Sequence, residues 1–319
     1  MEPTEKFFQI SLTVLKQFVR PIPFDIYIER DKGKFTKLFK KDDVLDWERV
    51  TSYEGKGVQA MYTTQEEYSF YSAYVESLTS MMAREPGKFD SAQACEFLKE
   101  MVVANMNELL VNKIVTPSSV ENSAMVVQAT IEQINRDPKA LFRVIAMMNK
   151  QPYLFKHSTI TALLSVILAK AAGIISKGKL QIVGTGAYLH DVGIAFMDFN
   201  PEELETFTAD NYKAVQQHPE LGKKQIDSLP GITSEIIQIV LQHHEQPNGA
   251  GYPNHLREGM IYMPAKVVAI ADAFSAMISK RGYRAAFTPE MALRNMRDDV
   301  GKFDKKLLDL FESILVPKA

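Results

Sequence analysis

The chain has 319 residues, 46% hydrophobic and 24% charged, with a formal net charge of −2. That length suits two domains with real cores, and the near-neutral charge argues against nonspecific binding to nucleic acid or to an anionic membrane. A single cysteine, Cys95, excludes an intrachain disulfide and fits a reducing compartment. No apolar run is read as approaching the roughly 18–20 residues of a membrane helix. Glu5, Lys6, Lys16 and Arg20 interrupt the N-terminus too often for a signal peptide. A cytoplasmic protein is expected.

Residues 1–85 read as a small α/β domain of unassigned role. Phe24–Glu29 alternates apolar and polar side chains, Asp31–Lys34 contains Gly33 and reads as a turn, and Phe35–Phe39 reads as the returning strand. Gly57–Tyr62 is a further strand candidate. Thr64 and Glu67 fit a capping box, which predicts a helix with Tyr68, Tyr71, Tyr74, Val75 and Leu78 on one face.

From about residue 90 the pattern is helical, so the fold class is mostly α. Residues 86–150 are expected to be a helical linker: Ser91–Val111 is periodic, Pro117 opens a helix to about Asn135, and Asp137-Pro138 opens another ending near Pro152. Residues 151–319 form the remaining domain. Pro247–Pro253 (PNGAGYP) should be a loop with special backbone angles.

Only six histidines are present, and their placement carries the chemistry. His157 opens the apolar helical segment Ser158–Ile175; alone, such a histidine is more often a cap or a surface residue. His190-Asp191 ends the apolar run Ile182–Leu189. Neighbours on a helix diverge by about 100°, so these two reach one ion only from a helix end, or by bridging two ions. His218-Pro219 follows, then His243-His244-Glu245 at the end of the amphipathic run Ile232–Gln242. Asp272 lies inside the apolar helix Ala265–Ile278, where an aspartate is costly unless paired or ligated. Imidazole and carboxylate without thiolate suit iron, manganese or zinc. Seven such groups exceed the needs of one tetrahedral ion; two ions sharing a bridging carboxylate would use them all. Such a pair hydrolyses phosphoesters by activating water and neutralising phosphoryl charge.

These ordered motifs resemble the HD-GYP family, a branch of the HD phosphohydrolases. They are H-S at His157-Ser158, L-H-D-V-G at Leu189–Gly193, H-P-x-x-G at His218–Gly222, H-H-E at His243–Glu245 and G-x-G-Y-P at Gly249–Pro253. They continue with I-A-D-A-F at Ile270–Phe274, S-x-R-x-Y-R at Ser279–Arg284 and G-x-F-D at Gly301–Asp304. The resemblance implies an all-α HD-type helical bundle for the C-terminal domain, a metal centre and hydrolysis of cyclic di-GMP to linear pGpG or GMP. It implies His157, His190, Asp191, His218, His243, His244 and Asp272 as ligands, with His190 and Asp191 catalytic, and Tyr252, Arg281 and Arg284 facing the nucleotide. Two divalent ions are expected, iron first, with manganese or zinc as alternatives. The G-Y-P loop is also expected as a surface for protein partners.

The chain departs from the family pattern at four places. Ile194 stands where H-D-x-G-K has lysine, Asn248 replaces the aspartate before the G-Y-P loop, and Ser275 replaces the second aspartate of D-x-F-D. Tyr153 stands where some members carry a glutamate for a third metal. A slow enzyme is expected, with a weakly catalytic metal and cyclic di-GMP sensor or protein-interaction module as the alternative, and hydrolysis of another phosphoester as a third reading.

Overall fold

The structure is a computed structural model. It describes residues 6–15, 21–31, 33–55, 58, 60–85, 88–137, 139–149, 151–204, 206, 208–281 and 284–316. Two compact units divide the chain, Met1–Ala104 and Asn105–Ala319. The break falls within the stretch 86–150 read as a linker.

The first unit is built on four antiparallel strands, β1 (Phe7–Ile10), β2 (Ile26–Asp31), β3 (Lys34–Phe39) and β4 (Met61–Thr64), in the order β1-β4-β2-β3. A period of two sorts their side chains. Phe8, Ile10, Ile26, Ile28 and Met61 are buried. Phe7, Tyr27, Phe35 and Tyr62 are half-buried and pack on each other, with the Phe7 and Phe35 rings stacked at 4.0 Å. Strand β1 has no counterpart among the expected strands, β2 starts two residues later than expected and β4 four residues later; Gly57 lies outside the described residues. Gly33 makes the β2–β3 turn at φ +78, a left-handed conformation that favours glycine.

Helices α1 (Leu12–Leu15), α2 (Trp47–Gly55), α3 (Tyr68–Arg84) and α4 (Ser91–Met106) complete this part of the chain. Thr64 Oγ1 accepts from the Glu67 amide at 3.3 Å, which is half of the expected capping box. The Glu67 carboxylate serves a different donor, the amide of Asp25 at 3.1 Å. Tyr68, Tyr71, Val75 and Leu78 are buried as their spacing predicts, while Tyr74 is half-buried. The expected helix to Val111 changes character at its end, where Asn107–Val111 winds as a π-turn.

The second unit is helical, as expected from the pattern. Its helices are α5 (Pro117–Arg136), α6 (Ala140–Met148), α7 (Tyr153–Ala171), α8 (Lys177–Leu189), α9 (Ala209–Val215) and α10 (His218–Ile226). They continue with α11 (Ser234–Gln242), α12 (Met263–Met277), α13 (Pro289–Asp298) and α14 (Lys305–Leu315). Thr116 caps α5 by accepting from the Ser119 amide at 3.2 Å, and Pro117 takes the first position. Helix α7 packs against α5, α6, α8, α12 and α14. By length and composition α7 could cross a membrane, an exception to the sequence reading, but 72% of its apolar window is buried inside the protein. A helix apolar on every side belongs in a core. This central helix starts four residues before His157, which puts that histidine in its second turn rather than at its start.

Candidate metal centre

The structure brings all seven expected ligands into one cluster, each delivered by a helix or a helix end. His157 lies on α7 and Asp272 on α12, two helices packed side by side. His190 ends α8 and Asp191 follows it. His218 begins α10, and His243 ends α11 with His244 next. Gly193 allows the α8 end to meet α10. A Cβ there would lie 2.0 Å from the His218 carbonyl oxygen, so only glycine permits that approach. His157, His190, His218 and His243 are almost wholly buried, whereas the His244 side chain is 28% exposed. The cluster therefore opens on the His244 side.

Asp191 sits at the centre, and its two oxygens face different histidines. Oδ2 lies 3.3 Å from His190 Nε2 and 3.5 Å from His157 Nε2. Oδ1 lies 3.2 Å from His218 Nε2 and 3.9 Å from His243 Nε2. Two donor groups result, His157, His190 and Asp191 in one, and Asp191, His218, His243 and His244 in the other, each with its ligand atoms within 4.8 Å of one another. Asp272 closes the first group from the other side, with Oδ1 3.1 Å from His157 Nε2 and 3.8 Å from His190 Nε2. Its Oδ2 lies 3.9 Å from His244 Nδ1.

The ring orientations call for a cation. His190, His218 and His243 each place Nδ1 2.7 Å from the carbonyl three residues earlier, on Ala187, Val215 and Val240. In the neutral ring, donation from Nδ1–H leaves Nε2 as a bare acceptor. Those acceptors then converge: Nε2 of His218 lies 3.1 Å from Nε2 of His243, and Nε2 of His190 lies 3.3 Å from Nε2 of His157. Buried acceptors aimed at one another are costly unless a positive charge lies between them. A divalent ion supplies that charge, and imidazole orientation by a carbonyl is the usual support of a metal ligand.

The electrostatics agree. Burial disfavours charge on both carboxylates, yet the histidines around them outweigh it: Asp191 is held well below the usual carboxylate range by His190, His157 and His218, and Asp272 by His157 first. Burial also disfavours protonation of His190, but the Asp191 charge raises it to about 9, so a proton on its Nε2 can answer Asp191 where no metal does. His244 moves the opposite way, down to about 3, because burial dominates. The cluster holds two carboxylates out of water and draws positive charge to them.

Three residues supporting the cluster have roles the sequence reading did not assign. Ser275, read as the loss of an aspartate, lies with Oγ 3.1 Å from His157 Nδ1 and donates to the His157 carbonyl at 3.4 Å. It thus does for His157 what carbonyls do for the other rings. Glu245 is buried and accepts from the amides of Asn254 at 2.6 Å and Leu256 at 2.8 Å, clamping the loop that follows the ligands. An acid directly between two histidines and a glycine-rich loop was the available signal. Asp304, quoted in a motif without a role, caps α14 through Lys306 and Leu307 and pairs with Lys266 of α12 at 3.2 Å.

The rim residues differ in where they lie. Tyr252 stands at the open side, its ring centroid 4.7 Å from that of His244 and 6.5 Å from that of His218. Its loop needs Gly251, where a Cβ would lie 2.3 Å from the Gln246 amide nitrogen. Asn248 shapes the start of that loop by accepting from the Ala250 amide at 2.9 Å. Arg281 donates to the Tyr153 hydroxyl, next to His157. Arg284 instead donates to the Ala276 carbonyl at 2.8 Å, at the end of α12, and its guanidinium carbon lies 4.5 Å from the Phe287 ring centroid. Ile194 is half-buried in the short turn after Asp191. Tyr283 of the same motif lies outside the described residues.

A helical bundle presenting histidine and adjacent His-Asp ligands from its helix ends defines an HD-type metal site. Residues 141–307 match the HD domain family. That is more than half of the chain, and the chain belongs to this family. The ordered motifs from His157 to Asp304 set it within the HD-GYP branch. The chain is 26% identical over 177 residues to a cyclic di-GMP phosphodiesterase of Pseudomonas aeruginosa, covering 55% of this chain and 42% of that protein. It is 29% identical over 167 residues to a 3′3′-cGAMP-specific phosphodiesterase of Vibrio cholerae, covering 50% of this chain and 38% of that protein. The match thus spans less than half the length of either relative. An HDG"Y"P protein from Bdellovibrio bacteriovorus superposes with a TM-score of 0.72 over 97% of this chain and 99% of that one, at 22% identity. At that identity the likeness is one of fold.

Proposed function

We propose that this protein is a dinuclear-metal phosphodiesterase that opens cyclic di-GMP to linear pGpG or GMP, working slowly in the cytoplasm. The observation that carries this reading is the position of Asp191, whose two oxygens face two separate groups of histidines. Two ions, iron by preference and manganese or zinc otherwise, would activate water there and neutralise charge on the phosphoryl oxygens. His157, His190 and Asp272 hold one side, His218, His243 and His244 the other, and Asp191 joins them. Tyr252 at the open side offers a ring face and a hydroxyl to the nucleotide, and Arg281 offers a guanidinium to a phosphate. Arg284 joins that contact only if it leaves the α12 carbonyls. The relatives' named substrates, cyclic di-GMP and 3′3′-cGAMP, support a cyclic dinucleotide. Incubation of metal-loaded protein with cyclic di-GMP should yield the linear dinucleotide or GMP. Turnover no higher than that of His190→Ala and Asp191→Ala controls sinks the reading.

Ile194 supports a second reading, a metal-containing sensor that binds cyclic di-GMP, or a protein partner at the G-Y-P loop, with little turnover. Isoleucine neither contacts a phosphate oxygen nor moves a proton. Calorimetric titration separates the two readings: binding without product supports the sensor, and strong turnover created by Ile194→Lys supports descent from an enzyme.

A further inference from the structure

His157 is embraced from two sides, and only one of them is explained by the need to orient its nitrogens. Ser275 fixes Nδ1. On the other side, Tyr153 stacks on the imidazole, ring centroids 5.1 Å apart and planes 11° from parallel. The two residues are four apart on α7, the spacing that puts side chains on one helix face. The Tyr153 hydroxyl accepts a hydrogen bond from Arg281, and the guanidinium carbon lies 4.5 Å from the Tyr153 ring centroid. Arg281 comes from the turn that ends α12, the helix that also supplies Asp272. Guanidinium, phenol and imidazole thus touch in sequence, and the imidazole carries the Nε2 that faces Asp191 and Asp272.

We propose that Tyr153 is a positioning residue that fixes the Arg281 guanidinium beside the metal cluster as a permanent cation for a phosphate oxygen, while its ring braces His157. This rests on the phosphoester reading of the site above. The physical reason is conformational. An arginine side chain has about 2 kcal/mol of rotamer entropy to lose, and a planar fork already held in place loses less of it on binding. A guanidinium matches phosphate geometry when its plane is fixed, and a hydrogen bond to the phenol together with contact against its ring fixes it. The ring contact with His157 makes the same residue sensitive to the metal: one side chain sets the distance between the ions' ligand and the anion-binding cation. A hydroxyl is needed for the first task and an aromatic ring for the second, so the two are separable by substitution.

Wild type, Tyr153→Phe, Arg281→Ala and the double variant should be loaded with manganese and titrated with inorganic phosphate by calorimetry. Metal content is measured on each. Tyr153→Phe is expected to weaken phosphate about 10-fold, the scale of one hydrogen bond to a charged group, with metal content unchanged. In the Arg281→Ala background the same substitution should change phosphate affinity less than about 2-fold, because the tyrosine acts through the arginine. Tyr153→Leu, which removes the ring, should also lower metal content. Equal losses in both backgrounds, no loss in Tyr153→Phe where Arg281→Ala shows one, or no phosphate binding to loaded wild type each overturn the proposal. Assay with cyclic di-GMP is read separately: the coupled phosphate pattern without dinucleotide turnover keeps this inference and removes the cyclic di-GMP reading.

Discussion

The two units handle buried polar groups in opposite ways. In the first, Glu100 is buried but answered by protein: Tyr71 donates to it at 3.1 Å and Lys99 pairs with it at 3.0 Å, while the Ser11 amide donates to the Tyr71 hydroxyl at 3.0 Å. In the second, His157, His190, His218 and His243 are buried with acceptor nitrogens facing one another and two carboxylates. A satisfied polar network needs nothing further. A converging set of acceptors is complete only around a cation. Burial of polar groups is common to both units, so it does not by itself mark a functional site; the direction in which the lone pairs point does.

The largest effect that tests this contrast is loss of the shared carboxylate. Asp191→Ala should lower metal content on both sides of the cluster and reduce turnover by at least about two to three orders of magnitude. Retention of one full ion would show that Asp191 does not join the two groups. Chelation extends the test to stability. Ions that bind only the folded form raise its stability by mass action, so removing them should lower the melting of residues 105–319 alone. Hydrogen exchange by segment reads this out, and equal loosening of residues 1–104 would break the contrast.

Next in size is the clamp on the loop. Glu245→Ala leaves the Asn254 and Leu256 amides without their carboxylate. Water can reach these part-buried amides, so the cost in stability is modest, but release of the loop carrying Tyr252 should reduce turnover by about 10–100-fold, the range for residues that support a metal site. Metal content should hardly change, since both Glu245 oxygens serve loop amides. A smaller loss is expected from Asp304→Ala, which removes the α14 cap and the pair with Lys266. A cap is worth about 1 kcal/mol, a melting shift of about 3 °C for a unit of this size. Unchanged melting would mean that solvent makes up for the cap.

The sequence made the metal cluster legible because ligation contradicts local pattern. Asp272 in an apolar helix is costly unless paired or ligated, and two histidines at the end of α11 are hard to place in a core though unremarkable on a surface; the structure brings both to Asp191. The supporting contacts were not legible, because they span the chain. Ser275 and His157 are 118 positions apart, and no local signal says that this serine meets one imidazole nitrogen. Read from the chain alone, Ser275 counts as erosion; in the fold it holds His157. Asn248 follows the same logic, since its turn-forming oxygen is in use and the lost charge leaves no visible gap. Ile194 is different, with no polar contact to replace the missing lysine. Strand β1 escaped because Phe7–Ile10 gains its identity only by pairing with β4, more than 50 residues away.

The smallest effect belongs to Glu100, and it probes the self-sufficient network of the first unit. Burial raises its carboxyl above the ordinary value of 4.5, with Lys99 and Tyr71 opposing that rise. A carboxyl whose pKa is higher in the folded protein than in the unfolded chain binds more protons when folded. The stability this gives is fully present below the unfolded value and is lost as pH rises through the folded one. Glu100→Gln keeps the shape and an acceptor for Tyr71 but cannot titrate. The variant should therefore lose the part of the pH dependence that lies above 4.5, seen as a flatter plot of melting temperature against pH for residues 1–104, with metal content untouched. A slope identical to wild type would show that Lys99 and Tyr71 offset the burial of Glu100 in full. A change in metal content would link the two units' polar networks and end the contrast between them.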